Sequence, residues 1–344
     1  MLKIEARPFD RWHASEHEMQ ALHTFTNIIR SEQWPDDPPL SLEEVARNLR
    51  AIPPFVEMHL WAVWRDNKIV AYSDVAFLKT DENQHIAEFE ISVLPELRRK
   101  GIAKQLLEVI ASATESAKRT LLVTSTDAMI PAAEAFMKRI GASLGITSGV
   151  NQLKIVDLDR NLLQKWIAQG EKNSSEFELG FWEGPYPEEE LLAVVKMKEL
   201  MNTAPRGELK VDDFHFTPEH LRQIEAAQAK RGAIRWTFYV RDRKTRDFAG
   251  YTETMWNPSK PETVNQGDTA VAPPYRNHGL GRWLKATMIE KILHERPQIK
   301  HIRTGNADSN APMLKINHEL GFKLYKSWNV WQVELSKVKE YLSR

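Results

Sequence analysis

Cysteine is absent from this chain of 344 residues. That excludes disulfides, a thiolate nucleophile and any Cys-ligated zinc or iron–sulfur centre. An excess of either charge is absent too. Lys+Arg and Asp+Glu both number 47, so the formal net charge is zero. The basic surplus usual in nucleic-acid binders is therefore missing, and no nucleic-acid partner is expected. No apolar run reaches the roughly 18 residues that a membrane-spanning helix needs. The opening residues Met1 to Pro8 lack the apolar core of a signal peptide, so a cytoplasmic location is expected. No G-x-x-x-x-G-K-[ST] occurs. No G-x-G-x-x-G occurs either, because Gly279-x-Gly281 is followed by Leu284. What the chain does have is an ordinary globular balance, 42% hydrophobic and 27% charged, enough for a sizeable core. The length suggests two domains.

The pattern of strands and helices runs through one order twice. In the first half a strand is expected at 3–8. Ser15 with Glu18 forms a capping box that opens a helix to about residue 32, and Ser41 with Glu44 repeats the signature. Strands are expected at 55–65, 68–78 and 85–94. A helix with Ile102, Leu106 and Ile110 on one face comes next, then a strand at 120–125, a helix at 131–140 and a strand at 143–157. A helix at 158–169 and a joint around Asn173–Ser175, with a first strand just beyond, restart the series. Helices follow at 188–202 and 217–231, the second with Thr217 as N-cap and Pro218 at its first position. Strands at 233–241, 248–256 and 262–272, a helix at 280–295, a strand at 300–306, a helix at 310–320 and a strand at 322–335 complete it. The fold class expected is mixed α/β (α+β), each half a mixed β-sheet flanked by helices. The halves are 1–157 and 176–344, with a linker at 158–175. A repeat this long is a duplicated domain and not a solenoid.

Chemistry-bearing residues sit at two matching turns. Val93-x-Pro95-x-x-Arg98-x-x-Gly101-x-Ala103 and Val271-x-Pro273-x-x-Arg276-x-x-Gly279-x-Gly281 both lie between an expected strand and an expected helix. Small residues let backbone approach a ligand closely. Unpaired N–H groups at the helix start, with the helix dipole behind them, suit a phosphate. Arg98, Arg99 and Lys100 in the first copy, and Arg276 and Arg282 in the second, can add charge-assisted contacts. His278, inside the second loop, can touch a phosphate or face solvent.

On these motifs the sequence resembles the GNAT superfamily of acyl-CoA N-acyltransferases, in a tandem arrangement of the mycothiol-synthase type covering nearly the whole chain. The resemblance implies two acyl-CoA N-acyltransferase domains. It implies acetyl-CoA as co-substrate, with the R-x-x-G-x-[GA] loops on its pyrophosphate: Arg98, Arg99, Lys100, Gly101 and Ala103, and Arg276, Asn277, His278, Gly279, Leu280, Gly281 and Arg282. It implies that the strand before each loop splays from its neighbour, so that backbone at Val93 and Val271 meets the pantetheine and thioester. Many members carry an Asn at the start of the next helix and a Gly-Phe at its end. The second half has Asn310 and Gly321-Phe322, the first half has neither, and so the second half is expected to hold the working site. Asn306, at the end of the preceding strand, is a candidate for lining the cleft. Many members also carry a Tyr five residues before that Phe as the acid for the leaving thiolate. Asn317 and Met137 stand there instead, so either another group such as a water or Tyr275 does that task, or CoA leaves unassisted.

The activity implied is transfer of an acetyl group from acetyl-CoA to an amine of a small molecule by direct attack in a ternary complex. Candidate bases are Asp268, three residues before Val271, and Glu253 on the strand before it; Glu90 holds the Asp268 position in the first half. The alternatives are a non-catalytic acyl-CoA-binding protein and an acetyltransferase of protein lysines or N-termini. No metal is expected: His13 and His17 are spaced i, i+4 but lack a third ligand. Gly141-x-Ser143-x-Gly145 fits a serine-hydrolase elbow, but an expected helix precedes it and a strand follows, the reverse of the order that elbow needs. Trp236 and Trp256, on strands of the second half, suit core packing or an acceptor pocket.

Overall fold

A computed structural model describes residues 5–344. In the first half the elements are β1 (Ala6–Pro8), α1 (Glu16–Gln33), α2 (Leu42–Arg50), β2 (Val56–Arg65), β3 (Lys68–Leu78), β4 (Ile86–Val93), α3 (Ile102–Ser116), β5 (Leu121–Asp127), α4 (Pro131–Arg139) and β6 (Ser143–Lys154). The second half brings α5 (Arg160–Glu171), β7 (Phe177–Glu183), α6 (Leu191–Lys198), α7 (Pro218–Lys230), β8 (Ile234–Asp242), β9 (Phe248–Trp256) and β10 (Thr263–Val271). It ends with α8 (Leu280–Glu295), β11 (His301–Ala307), α9 (Ala311–Glu319), β12 (Lys323–Glu334) and α10 (Leu335–Ser343). Residues 3 and 4 of the expected first strand lie outside the described residues. Helix α10 goes beyond the sequence reading, which ended on the last strand; it buries Val338 completely.

Local sequence explains most helix starts. Both capping boxes form, with Ser15 accepting from the Glu18 N–H and Ser41 from the Glu44 N–H. Thr217 caps α7 with Pro218 at its first turn. At the hydrolase-like Gly-x-Ser-x-Gly, Gly141 takes a left-handed φ of 78° just past α4 and Ser143 begins β6. It is a helix-terminating glycine and a turn, with no nucleophile elbow.

Two compact units form, and the chain crosses between them. One gathers the chain up to Thr147 with Arg206–Asp212 and Ser327–Arg344; the other gathers Ser148–Pro205 and Asp213–Lys326. Strand order is β1-β2-β3-β4-β5-β12 in the first and β6-β11-β10-β9-β8-β7 in the second. The last strand of each half-sequence therefore pairs with the penultimate strand of the other half. β12 runs antiparallel to β5 from Trp328↔Asp127 to Glu334↔Leu121. β6 runs antiparallel to β11 from Ser148↔Ala307 to Lys154↔His301. A single cut at 158–175 does not reproduce this exchange, because backbone pairing over these long strands outweighs order along the chain. The segment 206–212 joins the first unit through the Asp212 N–H on Asn83 (2.8 Å) and the Glu208 N–H on the Gly145 carbonyl (2.8 Å).

In the first unit α1 and α2 pack with Leu60, Ala62 and Ala71, while α3, α4 and α10 pack with Val75, Phe89, Leu122 and Trp331. In the second, Trp283, Leu284 and Ile289 of α8 meet Trp236, Val240 and Ile302.

Candidate active site

Each motif strand leaves its parallel neighbour partway along. β4 pairs with β5 only over Ile86–Glu88, then continues to Val93 against β3 alone. β10 pairs with β11 only over Thr263–Gln266, then continues to Val271 against β9 alone. The splay leaves backbone groups of β4 and β10 open on one edge, and such groups need partners.

The loops that follow are superposable in design. Arg99 and Asn277 take φ of 64° and 68°, and Gly101 and Gly279 take 85° and 76°. A Cβ on Gly101 or Gly279 meets nothing within 4 Å, so backbone conformation, not crowding, calls for glycine there. Helices α3 and α8 begin without a side-chain cap and without an acidic residue in their first turn. Their leading N–H groups and dipoles are thus left for an anion.

The motif arginines act inward. Arg98 Nε and Arg276 Nε each donate to the carbonyl of the motif valine, Val93 and Val271, at 3.1 Å. Arg98 also forms a bidentate pair with Glu32, and Arg276 reaches Thr203 Oγ1 at 3.1 Å. Arg282 is tied to Glu319 at 2.9 Å. Within the chain these three arginines are tied to neighbouring carbonyls, hydroxyl or carboxylates. In the first loop that leaves Arg99 and Lys100, the latter with Nζ on the Glu96 carbonyl. His278 is held by Asn173 on its carbonyl and by Phe177 at its ring edge. Leu280 is buried in the core.

In the first unit a cavity of about 370 Å³ follows the splay. Phe89 to Val93, Leu97 to Arg99, Gly101 to Lys104, Thr124 to Asp127 of β5, and Phe136 and Met137 of α4 line it, with Tyr341 of α10. Val93, Arg98, Arg99, Gly101 and Ala103 are all on its wall. A Cβ on Gly281 would stand 3.7 Å from both Ile316 and Val271. Asn310 caps α9, accepting from the Met313 N–H, and Asn306 accepts from Asn317 at 2.7 Å. Asn317, fully buried, also accepts from Lys285 at 2.5 Å. Burial draws the Lys285 ammonium down to a pKa of about 7. Tyr275 turns to Thr245 and Phe177. Trp236 is buried among core side chains, and Trp256 lies under Arg296 and donates to the Pro261 carbonyl.

The two candidate bases come together. Lys198 of α6 donates to Glu253 at 2.6 Å and to Asp268 at 2.5 Å. Tyr186 and Thr237 also donate to Glu253, and Tyr251 donates to Asp268 at 3.1 Å. Burial opposes the Glu253 charge, but the Lys198 and Arg235 cations overcome it and hold its carboxyl below the usual range. Lys198 is correspondingly held above its ordinary value.

Strand register identifies the first-unit counterparts. Val93 faces Ala71 as Val271 faces Gly250. Counting along the chain from those pairs, Asp74 matches Glu253, Tyr72 matches Tyr251 and Glu90 matches Asp268, although β10 carries a bulge between Gln266 and Thr269 that β4 lacks. Asp74 and Glu90 are direct cross-strand neighbours. Among the described residues no cation pairs with either. Burial, then the Glu90 and Glu88 charges, push Asp74 up to about 8. Surrounding protein pushes Glu90 up as well, against a bond from Ser92, although its side chain is exposed to solvent. Sequence reasoning missed Asp74, Tyr72 and Lys198. The first two become visible once the repeat is aligned strand by strand; Lys198 is 55 and 70 residues from its partners, and nothing local marks it.

Comparison with known proteins follows the same lines. The profile of the Acetyltransferase (GNAT) family matches twice, over residues 20–142 and 195–322. Among solved structures, a tandem GNAT protein from the clavulanic acid biosynthesis pathway is 21% identical with a TM-score of 0.78, covering 97% of this chain and 99% of its own. A GCN5-related N-acetyltransferase from Sphaerobacter thermophilus is 13% identical with a TM-score of 0.67, covering 97% and 96%. At these identities the likeness is one of fold. A search of curated proteins finds no match.

Proposed function

The chain belongs to the acetyltransferase (GNAT) family, and from that premise we propose that it is an acetyl-CoA-dependent N-acetyltransferase acting on an amine, with its working site in the first unit. One observation carries the reading. The first-unit cavity joins the open β4 edge, the uncapped start of α3 and the Glu90 carboxylate in one cleft. The second-unit carboxylates Glu253 and Asp268 hold Lys198 and are not free to take a proton.

Acetyl-CoA supplies the activated acyl group when bound. The chain's own residues do the rest. The N–H groups that open α3, with Arg99 and Lys100 beside them, hold the pyrophosphate. The free edge of β4 around Ile91 and Val93 orients the pantetheine arm and offers N–H groups to the oxyanion. Asp74 keeps its proton at neutral pH, so its charge does not add to that of Glu90. Glu90, its carboxyl held above the usual range, takes the proton from the acceptor ammonium. A second reading, an acyl-CoA-binding protein without turnover, is favoured by one observation: Met137 and Asn317 leave neither unit a phenol at the usual acid position.

The test is thiol release from acetyl-CoA in the presence of primary amines. Wild type should turn over at least one amine, and Glu90→Gln should lower kcat by about 100-fold or more. Undiminished turnover in Glu90→Gln overturns the assignment, and acetyl-CoA binding without turnover on any amine supports the second reading.

A further inference from the structure

The third residue of each motif helix is a cation in matching surroundings. Lys104 of α3 and Arg282 of α8 both stand three positions after the left-handed motif glycine. Each lies against an aromatic ring from another helix of its own unit. Arg282 is 5.3 Å from the centre of the Trp166 ring of α5, and Lys104 Nζ is 5.4 Å from the centre of the Tyr341 ring of α10. What faces these cations differs. In the second unit Glu319 of α9 takes Arg282 in a bidentate pair at 2.9 and 3.1 Å. Counting back from the left-handed glycines that follow α9 and α4, Gly321 and Gly141, the first unit has Arg139 in the place of Glu319. An ion pair in one unit is thus two cations in the other. Lys104 is half-buried, Arg139 is exposed, and both line the first-unit cavity. Among the described residues neither has a carboxylate partner, and Glu108, one turn further along α3, makes no ion pair with Lys104. Like charges held on one wall favour an anion between them.

The N–H groups that open α3, with Arg99 and Lys100, already serve a diphosphate in the transfer reading. Lys104 and Arg139 therefore serve a further anionic group. We infer that Lys104 and Arg139, with the Tyr341 ring as a wall, bind a phosphate monoester separate from the diphosphate: the ribose 3′-phosphate at the nucleotide end of coenzyme A. The inference rests on reading the first unit as the acetyl-CoA site and deepens it. A dianion between an ammonium and a guanidinium gains charge-assisted hydrogen bonds from both. The Tyr341 face supports the ammonium from the side away from the ligand. The first unit is then selective for coenzyme A over its analogue without that phosphate. The second unit is not, because Glu319 already neutralises Arg282.

Calorimetric titration of the full chain with coenzyme A and with 3′-dephospho-coenzyme A tests this directly. Wild type should bind coenzyme A about ten-fold more tightly or better. Arg139→Glu gives the first unit the pairing that the second unit has. It should bring the two affinities within about two-fold of each other, by weakening coenzyme A alone. Arg139→Gln, a milder change at an exposed position, should lower the preference by about three-fold or more and serves if the first variant does not fold. In both variants the KM for acetyl-CoA should rise while kcat stays unchanged. Equal binding of the two ligands by wild type overturns the phosphate site and leaves the transfer reading standing. Equal weakening of both ligands in the variants assigns the cations to the diphosphate and overturns it too. Binding of neither ligand overturns the transfer reading with it. Gly281→Trp, which fills the second-unit loop, should keep the wild-type preference; its loss there would place the phosphate in the second unit and overturn the assignment.

Discussion

Asp74→Asn should make the protein more stable and less active at once. Asp74 is pushed from 3.8 to about 8 by burial and by Glu90 and Glu88. The folded state thus holds this proton more tightly than the unfolded chain. Between about pH 4 and pH 8 the folded state binds more protons, so this group's contribution to stability is lost as pH rises through that window. A shift of about four units at roughly 1.4 kcal/mol each sets a ceiling near 6 kcal/mol. Asp74 is only partly buried and Glu90 is exposed, so solvent screening reduces the expected effect to about 2 kcal/mol at pH 8. Asn keeps the size of a protonated carboxyl and does not titrate. The variant should match wild type at pH 4 and unfold at a higher temperature at pH 8, while its KM for the amine rises. Equal stability differences at both pH values, or a less stable variant at pH 8, would refute the reasoning by showing that the carboxylate is already neutralised in the folded protein.

Lys285→Met should raise stability at neutral pH by about 1–3 kcal/mol, because its buried ammonium meets only uncharged partners, the Asn317 amide, the Met313 sulfur and the Phe322 ring. Wild-type stability should rise from about pH 7 to 10.5 as the buried amine sheds its proton before the unfolded one does, and the Met variant should lack that rise; unfolding midpoints at three pH values decide it. Gly250→Ala places a Cβ 2.6 Å from the Ala270 carbonyl oxygen and should cost about 1–3 kcal/mol through overpacking. Gly101→Ala meets no atom within 4 Å and should cost about 1–2 kcal/mol from its φ of 85° alone, so displacement of Val271 in a crystal structure of the first variant, with no matching shift of Val93 in the second, separates the two causes.

Local features were the legible ones. Both capping boxes, the paired glycine loops and the tandem order of elements follow from residues within a few positions of each other, and they stand where the sequence placed them. Pairings across the chain were not legible. The exchange of β6 and β12 depends on strands that meet over more than 140 residues, as Trp331 Nε1 does with Thr126. The sequence shows the charge of the motif arginines but not that Arg98 and Arg276 also bond to the carbonyls of Val93 and Val271. Asp268 and Glu253 were found as a pair worth attention, but the cation that neutralises them comes from α6. The better motif match in the second half rests on Asn310, which caps α9, and on Phe322, which packs in the core. The cavity beside β4 and the Asp74–Glu90 pair are in the first.

The central claim is that the first unit does the chemistry. Its most direct test is acetyl-CoA turnover on a primary amine by Ala103→Trp and Gly281→Trp, each of which fills the loop-facing start of one motif helix. The account expects turnover to vanish in Ala103→Trp and to persist within about two-fold of wild type in Gly281→Trp. Loss in Gly281→Trp with full turnover in Ala103→Trp would contradict it and return the working site to the second unit.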